Sequence, residues 1–111
     1  PYFNIFGHPT AREINKRPPI DVDMGKIMDA ALERGCYLEL NSAPKRLDLN
    51  DVHCKLAKEK GLKLTISTDA HNPAQLRNIR FGINQARRGW LEADDVLNTR
   101  SVDEFLDLIN R

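Results

Sequence analysis

Apolar and polar residues follow one another along this chain in three blocks, each with a strand-like run and then a helix-like stretch. The strand-like runs cover residues 1–6, 36–41 and 62–68, and the first and third are apolar at both even and odd positions. Unbroken apolar runs are typical of parallel strands, because helices cover both faces of a parallel sheet. The pattern therefore predicts an α/β fold in which parallel strands alternate with helices.

Four helices are predicted between and after these strands, over about residues 21–34, 51–60 and 73–88, and from 101 onward. Asn72 and Ser101 are expected to cap the last two, and Gly35 and Gly61 to end the first two. The residues expected to face inward are, helix by helix, Met24, Ile27, Met28, Ala31 and Leu32; Val52, Leu56 and Ala57; Leu76, Ile79, Ile83 and Ala86; and Val102, Phe105, Leu106 and Ile109. Each set repeats at helical spacing, so each helix should present one apolar stripe.

The chain of 111 residues is long enough for one domain with a modest core. It begins at Pro1 without a methionine, so it is interpreted as a piece of something longer. A parallel sheet of three strands leaves bare edges, which invite pairing with another chain. We therefore expect part of a larger α/β barrel, and self-association if the piece is isolated.

Composition and charge narrow the class of protein. No apolar run approaches the roughly 20 residues that cross a bilayer and no signal peptide is visible, so a cytoplasmic protein with no membrane partner is expected. Cys36 and Cys54 lack metal-type spacing and are predicted to be small buried residues in a reducing compartment. The net charge of +1 combines +5 over residues 1–88 with −4 over 89–111. A basic body fits a phosphate-bearing substrate, and a solvated surface explains it equally well.

Two histidines and an aspartate each follow a predicted strand. His8 comes after the first strand, and Asp69 and His71 come after the third. Because the carboxyl ends of parallel strands meet at one rim, these side chains are expected to lie close together. Imidazole nitrogen and carboxylate oxygen suit zinc, manganese or iron, which makes these three residues the candidate metal ligands and catalytic residues. The alternative is that Asp69 caps a helix beside a surface histidine.

Glu39 and Asn41 alternate at the end of the middle strand, so both side chains should face the same side. We expect them to form hydrogen bonds to the metal ligands and so to fix the orientation of those ligands. The alternatives are that Glu39 pairs with a nearby Lys or Arg and that Asn41 forms a turn. His53, on the second helix, has no partner at ligand spacing and is predicted to be a surface or packing residue.

Two groups of basic residues allow a phosphate contact. Arg46 either reaches a phosphate or forms a salt bridge with Asp48 in its own loop. Arg87, Arg88 and Trp90 either contact DNA by phosphate pairing and base stacking, or form a basic helix end with the tryptophan packed beneath.

Several of these motifs resemble a polymerase and histidinol phosphatase (PHP) domain. The matching segments are residues 7–9, 38–41, 44–49 and 67–71. Residues 85–91 and 95–100 are more discriminating, because they resemble the PHP domain at the C-terminal end of bacterial and archaeal family X DNA polymerases. The resemblance covers essentially the whole chain, 1–111, as the C-terminal part of such a domain.

The resemblance implies a distorted (β/α)7 TIM-like barrel whose rim binds up to three divalent metal ions, Mn2+ or Zn2+. It implies metal-dependent phosphodiester hydrolysis, as a 3′→5′ exonuclease that processes DNA 3′ ends in DNA repair. His8, Asp69 and His71 match metal ligands of the family, and Glu39, Asn41 and Arg46 match positions near the rim. The early His-x-His motif and further His and Glu ligands of the family are absent, as is the upstream polymerase core. The chain alone is therefore expected to be inactive or weak.

Two other functions stay open from the sequence. One is a small-molecule phosphoesterase similar to histidinol phosphatase, against which the segment 87–90 argues. The other is a non-catalytic PHP module that braces a polymerase or binds DNA without cleaving it.

Overall fold

The computed structural model describes residues 3–110, and the first two residues of the predicted first strand lie outside that range. Along the chain lie β1 (Ile5–Phe6), α1 (Met24–Arg34), β2 (Tyr37–Asn41), α2 (Asp51–Lys60), β3 (Leu64–Ser67), a 3₁₀ helix (Pro73–Asn78), α3 (Ile79–Arg88), two 3₁₀ turns (Ala93–Asp95 and Leu97–Thr99) and α4 (Val102–Ile109). The predicted alternation of strands and helices is confirmed. The third helix begins one and a half turns later than predicted, because residues 73–78 wind as a 3₁₀ helix first.

The three strands form one parallel sheet in the order β1-β2-β3. In β2, Glu39 pairs with Thr65 and Asn41 with Ser67, so the polar ends of β2 and β3 lie side by side. Just before the second 3₁₀ turn, Val96 adds an isolated parallel bridge to Leu64 on the far side of β3. The parallel sheet is confirmed, while closure into a larger barrel stays a prediction.

Side chains from the sheet and the first three α-helices form the core. The fully or nearly fully buried apolar residues include Met24, Met28, Leu38, Leu40, Leu49, Cys54, Ala57, Leu64 and Ala86. The predicted core of α1 is therefore largely confirmed, and both cysteines are buried as predicted. The helix caps are also as predicted: Asn72 Oδ1 accepts from Gln75 N, Ser101 Oγ accepts from Glu104 N, and Gly35 and Gly61 end α1 and α2 in left-handed conformation.

Several residues predicted to face inward are exposed instead. Val52 is 70% exposed, because Cys54 takes the central core position of α2. Leu76 is 60% exposed, since it belongs to the 3₁₀ helix, whose tighter winding changes the face that packs. Four more residues were predicted to face the core and are exposed instead: Leu32, Ile83, Val102 and Leu106. In α4 only one side, carrying Phe105 and Ile109, is half-buried, so the apolar stripe is narrower than its spacing suggested.

α3 lies unusually close to its neighbours because glycine faces them. A Cβ at Gly82 would collide with Ser42 Oγ and lie 2.7 Å from Ile66 Cγ2. A Cβ at Gly89 would lie 2.6 Å from Cys54 Cβ. These distances are shorter than any ordinary carbon contact. The two glycines therefore set how α3 sits against the carboxyl ends of β2 and β3 and against α2.

Candidate functional site

A row of hydrogen bonds crosses the ends of all three strands. The backbone N–H of His8, after β1, donates to Glu39 Oε1 at 2.8 Å. Asn41 Nδ2 donates to the same Glu39 oxygen and to Asp69 Oδ2, each at 3.4 Å. Ser67 Oγ, at the end of β3, donates to Glu39 Oε2. The structure thus brings Glu39, Asn41 and Asp69 together at one rim, as strand-end placement predicted.

The buried amide of Asn41 fixes the orientation of this row. Its Oδ1 accepts a 2.9 Å hydrogen bond from the backbone N–H of Ala43, so its NH2 group points toward the two carboxylates. Asn41 is 1% exposed, and an amide held on both sides in the interior has little freedom to rotate. Its geometry suits the predicted orienting role. The alternative in which Glu39 pairs with a lysine or arginine is wrong within residues 3–110, because Glu39 forms only the three hydrogen bonds above.

The rim residues also adopt unusual backbone conformations. His8 has φ of 28° and Asp69 has φ of 54°, both in the left-handed region that favours glycine. Each such residue costs of order 1–3 kcal/mol unless its surroundings compensate, and strained residues cluster at functional sites. Strain at two strand ends of one rim therefore adds support for a functional role there.

His71 lies two residues beyond Asp69 and turns its ring back toward it. Its Nδ1 is 2.8 Å from the carbonyl oxygen of Asp69, and since a carbonyl only accepts, Nδ1 carries the proton. This leaves Nε2 as an acceptor with no hydrogen-bond partner in the described chain. A histidine whose Nδ1–H bonds a carbonyl while Nε2 stays available is the usual arrangement of a metal ligand.

A cleft of about 470 Å³ opens beside this histidine. Asp69, His71 and Lys45 line it, together with Gln75 and Asn78 of the 3₁₀ helix. Gln75 Oε1 accepts from the backbone N–H of His71 at 2.7 Å and so fixes the strand exit. The imidazole of His8 is exposed and does not line the cleft.

The donor types at the rim fit a divalent transition metal, since imidazole nitrogen and carboxylate oxygen are its usual ligands. In the part of the chain that the structure describes, no three His, Cys, Asp or Glu side chains are grouped so that they could hold one ion. The rim thus offers Asp69 and His71 as neighbouring donors and leaves the donor set incomplete. His8, Asp69 and His71 therefore do not surround one ion position in this structure, and their role as metal ligands stays a prediction.

The loop behind the rim differs from its prediction. Arg46 and Asp48 form no salt bridge: Arg46 Nη1 donates to Arg12 O at 3.3 Å, and buried Asp48 Oδ2 accepts from Thr10 N at 2.8 Å. Arg12 donates in turn to the carbonyls of Arg46 and Leu47. Arg12 and Arg46 thus join their two loops by donating to backbone carbonyls. Residue spacing along the sequence does not predict bonds of this kind.

His53 packs against this cluster, in agreement with its predicted packing role. Burial lowers the pKa of His53, Asp48 acts in the opposite direction, and the charge of Arg12 lowers the pKa further. Cys54 beside it is fully buried, and burial together with the charges of Asp51 and Asp48 raises its pKa to about 12. Neither side chain faces the rim cleft.

The basic segment at the end of α3 is exposed. Trp90 is 71% exposed, so the alternative in which it packs beneath the helix end is wrong. Arg87 is exposed as well, and Arg88 Nη2 is 3.5 Å from Asp51 Oδ2. The three predicted DNA-contact residues are thus all exposed, and none of them lines the rim cleft.

Sequence reasoning missed Ser67 and Gln75. Ser67 lies two residues before Asp69 on β3 and is the partner of Asn41 in the sheet register, which is the signal that marks it. Gln75 is four residues after His71 in the first turn of a helix, where side chains commonly bond back to the preceding loop.

The chain is similar to two kinds of known protein. It is 38% identical over 99% of its length to the DNA polymerase/3′-5′ exonuclease PolX of Bacillus subtilis (strain 168). The resemblance to the PHP domain of family X DNA polymerases is confirmed. It is also 30% identical over 96% of its length to proteins named "Probable phosphatase" in Thermoanaerobacter sp. (strain X514) and Thermoanaerobacter pseudethanolicus (strain ATCC 33223 / 39E). No protein-family model matches it.

The chain spans only part of each relative. It corresponds to 19% of the length of the polymerase and to 44% of the length of each phosphatase. Within residues 3–110, no helix is long and apolar enough to cross a membrane.

Proposed function

We propose that this chain is the C-terminal part of a metal-dependent PHP phosphoesterase domain, carried by a family X DNA polymerase in the cytoplasm. The reaction is hydrolysis of phosphodiester bonds at DNA 3′ ends, in DNA repair. The observation that carries the proposal is the hydrogen-bonded row from His8 through Glu39 and Asn41 to Asp69. It supports a site built across three strand ends, in a chain similar to a protein named as a 3′-5′ exonuclease.

In this proposal His8, Asp69 and His71 hold Mn2+ or Zn2+. The Oδ1 atom of Asp69 accepts no hydrogen bond within residues 3–110, and Nε2 of His71 is available. Asn41 orients Asp69 by binding its other oxygen. Glu39 holds the backbone of His8 in place, so that this residue stays at the rim despite its positive φ.

A divalent metal ion, when bound, supplies a nucleophilic water at neutral pH and neutralises charge on the phosphate. In this proposal Lys45, which lines the cleft next to Asp69 and His71, binds the phosphate group of the substrate. Arg46 is joined to Arg12 O, so we assign it to loop positioning close to the rim. Because the described donors are incomplete, we expect upstream segments of the natural protein to supply further ligands, up to three ions in all, and the chain alone to be inactive or weak.

The test uses the natural protein that carries this chain, with a 3′-labelled DNA oligonucleotide and Mn2+. Replacing Asp69→Asn together with His71→Ala should abolish exonuclease activity and bound metal while far-UV circular dichroism is unchanged. The matched control is His53→Ala, which removes a histidine outside the rim. Full exonuclease activity in the rim double variant would refute the proposal.

A second candidate, hydrolysis of a small phosphate monoester, is favoured by the similarity to the two proteins named as phosphatases. In the same protein preparation, turnover of a monoester with no cleavage of DNA would select it. A third candidate, a non-catalytic module, is favoured by the incomplete donor set. Intact DNA affinity with no bound transition metal would select that one.

A further inference from the structure

We propose that the exposed side of residues 72–91 binds a single-stranded nucleic acid, with arginines on its phosphates and Trp90 stacked on a base. We call this surface the arginine face and define it by Arg77, Arg80, Arg87, Arg88 and Trp90. The proposal deepens the proposed function, on which it rests for the direction in which the strand runs. In this proposal the nucleic-acid strand lies along the arginine face once it is outside the rim cleft.

Charge is the first observation. Residues 72–91 contain four arginines and neither an aspartate nor a glutamate. Arg77, Arg80 and Arg87 are exposed, and within residues 3–110 they form no ion pair. Guanidinium groups without an acidic partner keep their full attraction for phosphate, which they bind in a planar, two-pronged manner. Arg17, by contrast, pairs with Glu13, and Arg88 of the arginine face lies 3.5 Å from Asp51.

Spacing along the helix is the second observation. Arg80 and Arg87 are seven residues apart in α3, so they point to nearly the same side and lie about 10 Å apart along the axis. Each nucleotide of a stacked strand advances about 3.4 Å along the strand axis, so the two arginines match phosphates about three nucleotides apart along that axis. Arg80 is held in this position by the Phe81 ring, with its Cζ 4.8 Å from the ring centroid.

The arginine face and the rim cleft share one element of the fold. The 3₁₀ helix Pro73–Asn78 contributes Gln75 and Asn78 to the cleft beside Asp69 and His71, and Arg77 lies between them in sequence. From there the arginine face continues along α3 to Trp90, roughly 20 Å away at helical rise. A strand whose 3′ end enters the cleft would therefore leave along this face for about six nucleotides.

Trp90 supplies the third and independent observation. It is 71% exposed and has φ of 67°, a conformation that favours glycine, while the adjacent Gly89 has φ of −86°. Neither burial nor backbone preference therefore explains a tryptophan at this position. The glycine next to it does not take the left-handed conformation; its missing side chain instead gives room to Cys54. An exposed indole next to arginines is the arrangement that proteins use to stack on bases of single strands.

The experiment measures binding of the 111-residue chain to a fluorescein-labelled 12-nucleotide oligo-dT by anisotropy, in EDTA so that no hydrolysis occurs. Binding should fall steeply with salt, since each arginine–phosphate contact contributes about 0.7 to the log–log slope. The fluorescence of Trp90, the sole tryptophan of the chain, should be quenched on binding.

Two variants and one matched control separate the parts of the proposal. Arg80→Gln with Arg87→Gln should reduce the salt slope by about 1.4, whereas Lys16→Gln with Lys26→Gln, an equal change in charge on other exposed residues, should leave it nearly unchanged. Trp90→Gly should weaken binding by about 5- to 150-fold, the range for a lost stacking contact. The same variant should unfold at no lower urea concentration, because glycine relieves the left-handed turn.

Several outcomes would overturn the inference. Equal salt slopes in the two double variants would show that only net charge matters, and unchanged binding in Trp90→Gly would exclude stacking. Equal binding of a labelled oligoglutamate peptide would indicate an acidic protein segment as the partner instead. Binding in EDTA does not depend on hydrolysis, so the two proposals fail separately: full exonuclease activity in the Asp69→Asn, His71→Ala protein would refute the proposed function, whereas oligo-dT binding that depends on Arg80, Arg87 and Trp90 would still support this inference.

Discussion

Replacing Gly82 by alanine should destabilise the protein, although alanine is the better helix former. Gly82 lies in α3, where its missing side chain lets the helix approach Ser42 and Ile66. In an open helix the substitution would stabilise by about 1 kcal/mol. Here the new Cβ would overlap Ser42 Oγ and lie 2.7 Å from Ile66 Cγ2 and 3.0 Å from Ser42 Cβ.

The expected magnitude follows from these opposing terms. Rotating the Ser42 hydroxyl relieves one contact at little cost, because Ser42 Oγ has no hydrogen-bond partner within the described residues. The contacts to Ile66 and to Ser42 Cβ remain, and overpacking of this kind costs about 1–3 kcal/mol. With three atoms affected we take about 2–3 kcal/mol, which leaves a net loss of about 1–2 kcal/mol after the helix-forming gain.

Urea unfolding followed by circular dichroism measures the change in the free energy of unfolding. Gly25→Ala is the matched control: it lies in α1, and a Cβ there meets only Asp23 Oδ1 at 3.4 Å, an ordinary contact. It should stabilise by about 0.5–1 kcal/mol. In the double variant Ser42→Gly, Gly82→Ala the loss should be smaller than the sum of the single changes, since residues in contact couple. A Gly82→Ala protein as stable as the wild type would refute the close packing of α3.

Two predictions follow from the groups behind the rim. Because burial lowers the pKa of His53 below its ordinary 6.5, the unfolded chain binds the extra proton more readily. The contribution of neutral His53 to stability is therefore complete above pH 6.5 and is lost as the pH falls toward the folded pKa. The urea midpoint of the wild-type protein should fall between pH 7.5 and pH 5, and that of His53→Gln should fall less. The Cys54 thiol has its pKa raised to about 12, so it should not react with iodoacetamide at pH 8 until urea unfolds the chain. A Cys36→Ser variant leaves Cys54 as the only cysteine for this measurement. Rapid labelling of the native variant would contradict the burial of Cys54.

Much of the fold could be predicted from the sequence because the relevant signals are local. The stops at Gly35 and Gly61 and the caps at Asn72 and Ser101 depend on the residues next to them, and each is as predicted. The inward faces were less predictable, since which face packs depends on neighbours distant in sequence. Gly82 shows the difference: a glycine within a helix normally weakens it, whereas here the missing side chain lets α3 approach Ser42, after β2, and Ile66 of β3.

The candidate site was predictable in position and only partly in detail. Strand-end placement indicated that Glu39, Asn41 and Asp69 would meet, and a hydrogen-bonded row joins them. The same reasoning gave no account of Arg46, whose partner is a backbone carbonyl that carries no side-chain signal. Nor could it show that Trp90 is exposed and takes the left-handed conformation, because a tryptophan at the end of a helix is usually expected to pack.

The pairing of β2 with β3 restricts how this protein can change in length. Insertion or deletion of one residue within Tyr37–Asn41 would turn Glu39 and Asn41 into the space of Leu38 and Leu40, and the two leucines toward the rim. A gain or loss of one codon in this strand therefore disrupts core and rim together. The polar stretch of residues 12–20, which enters none of the three strands, is where length variation among natural homologues should concentrate.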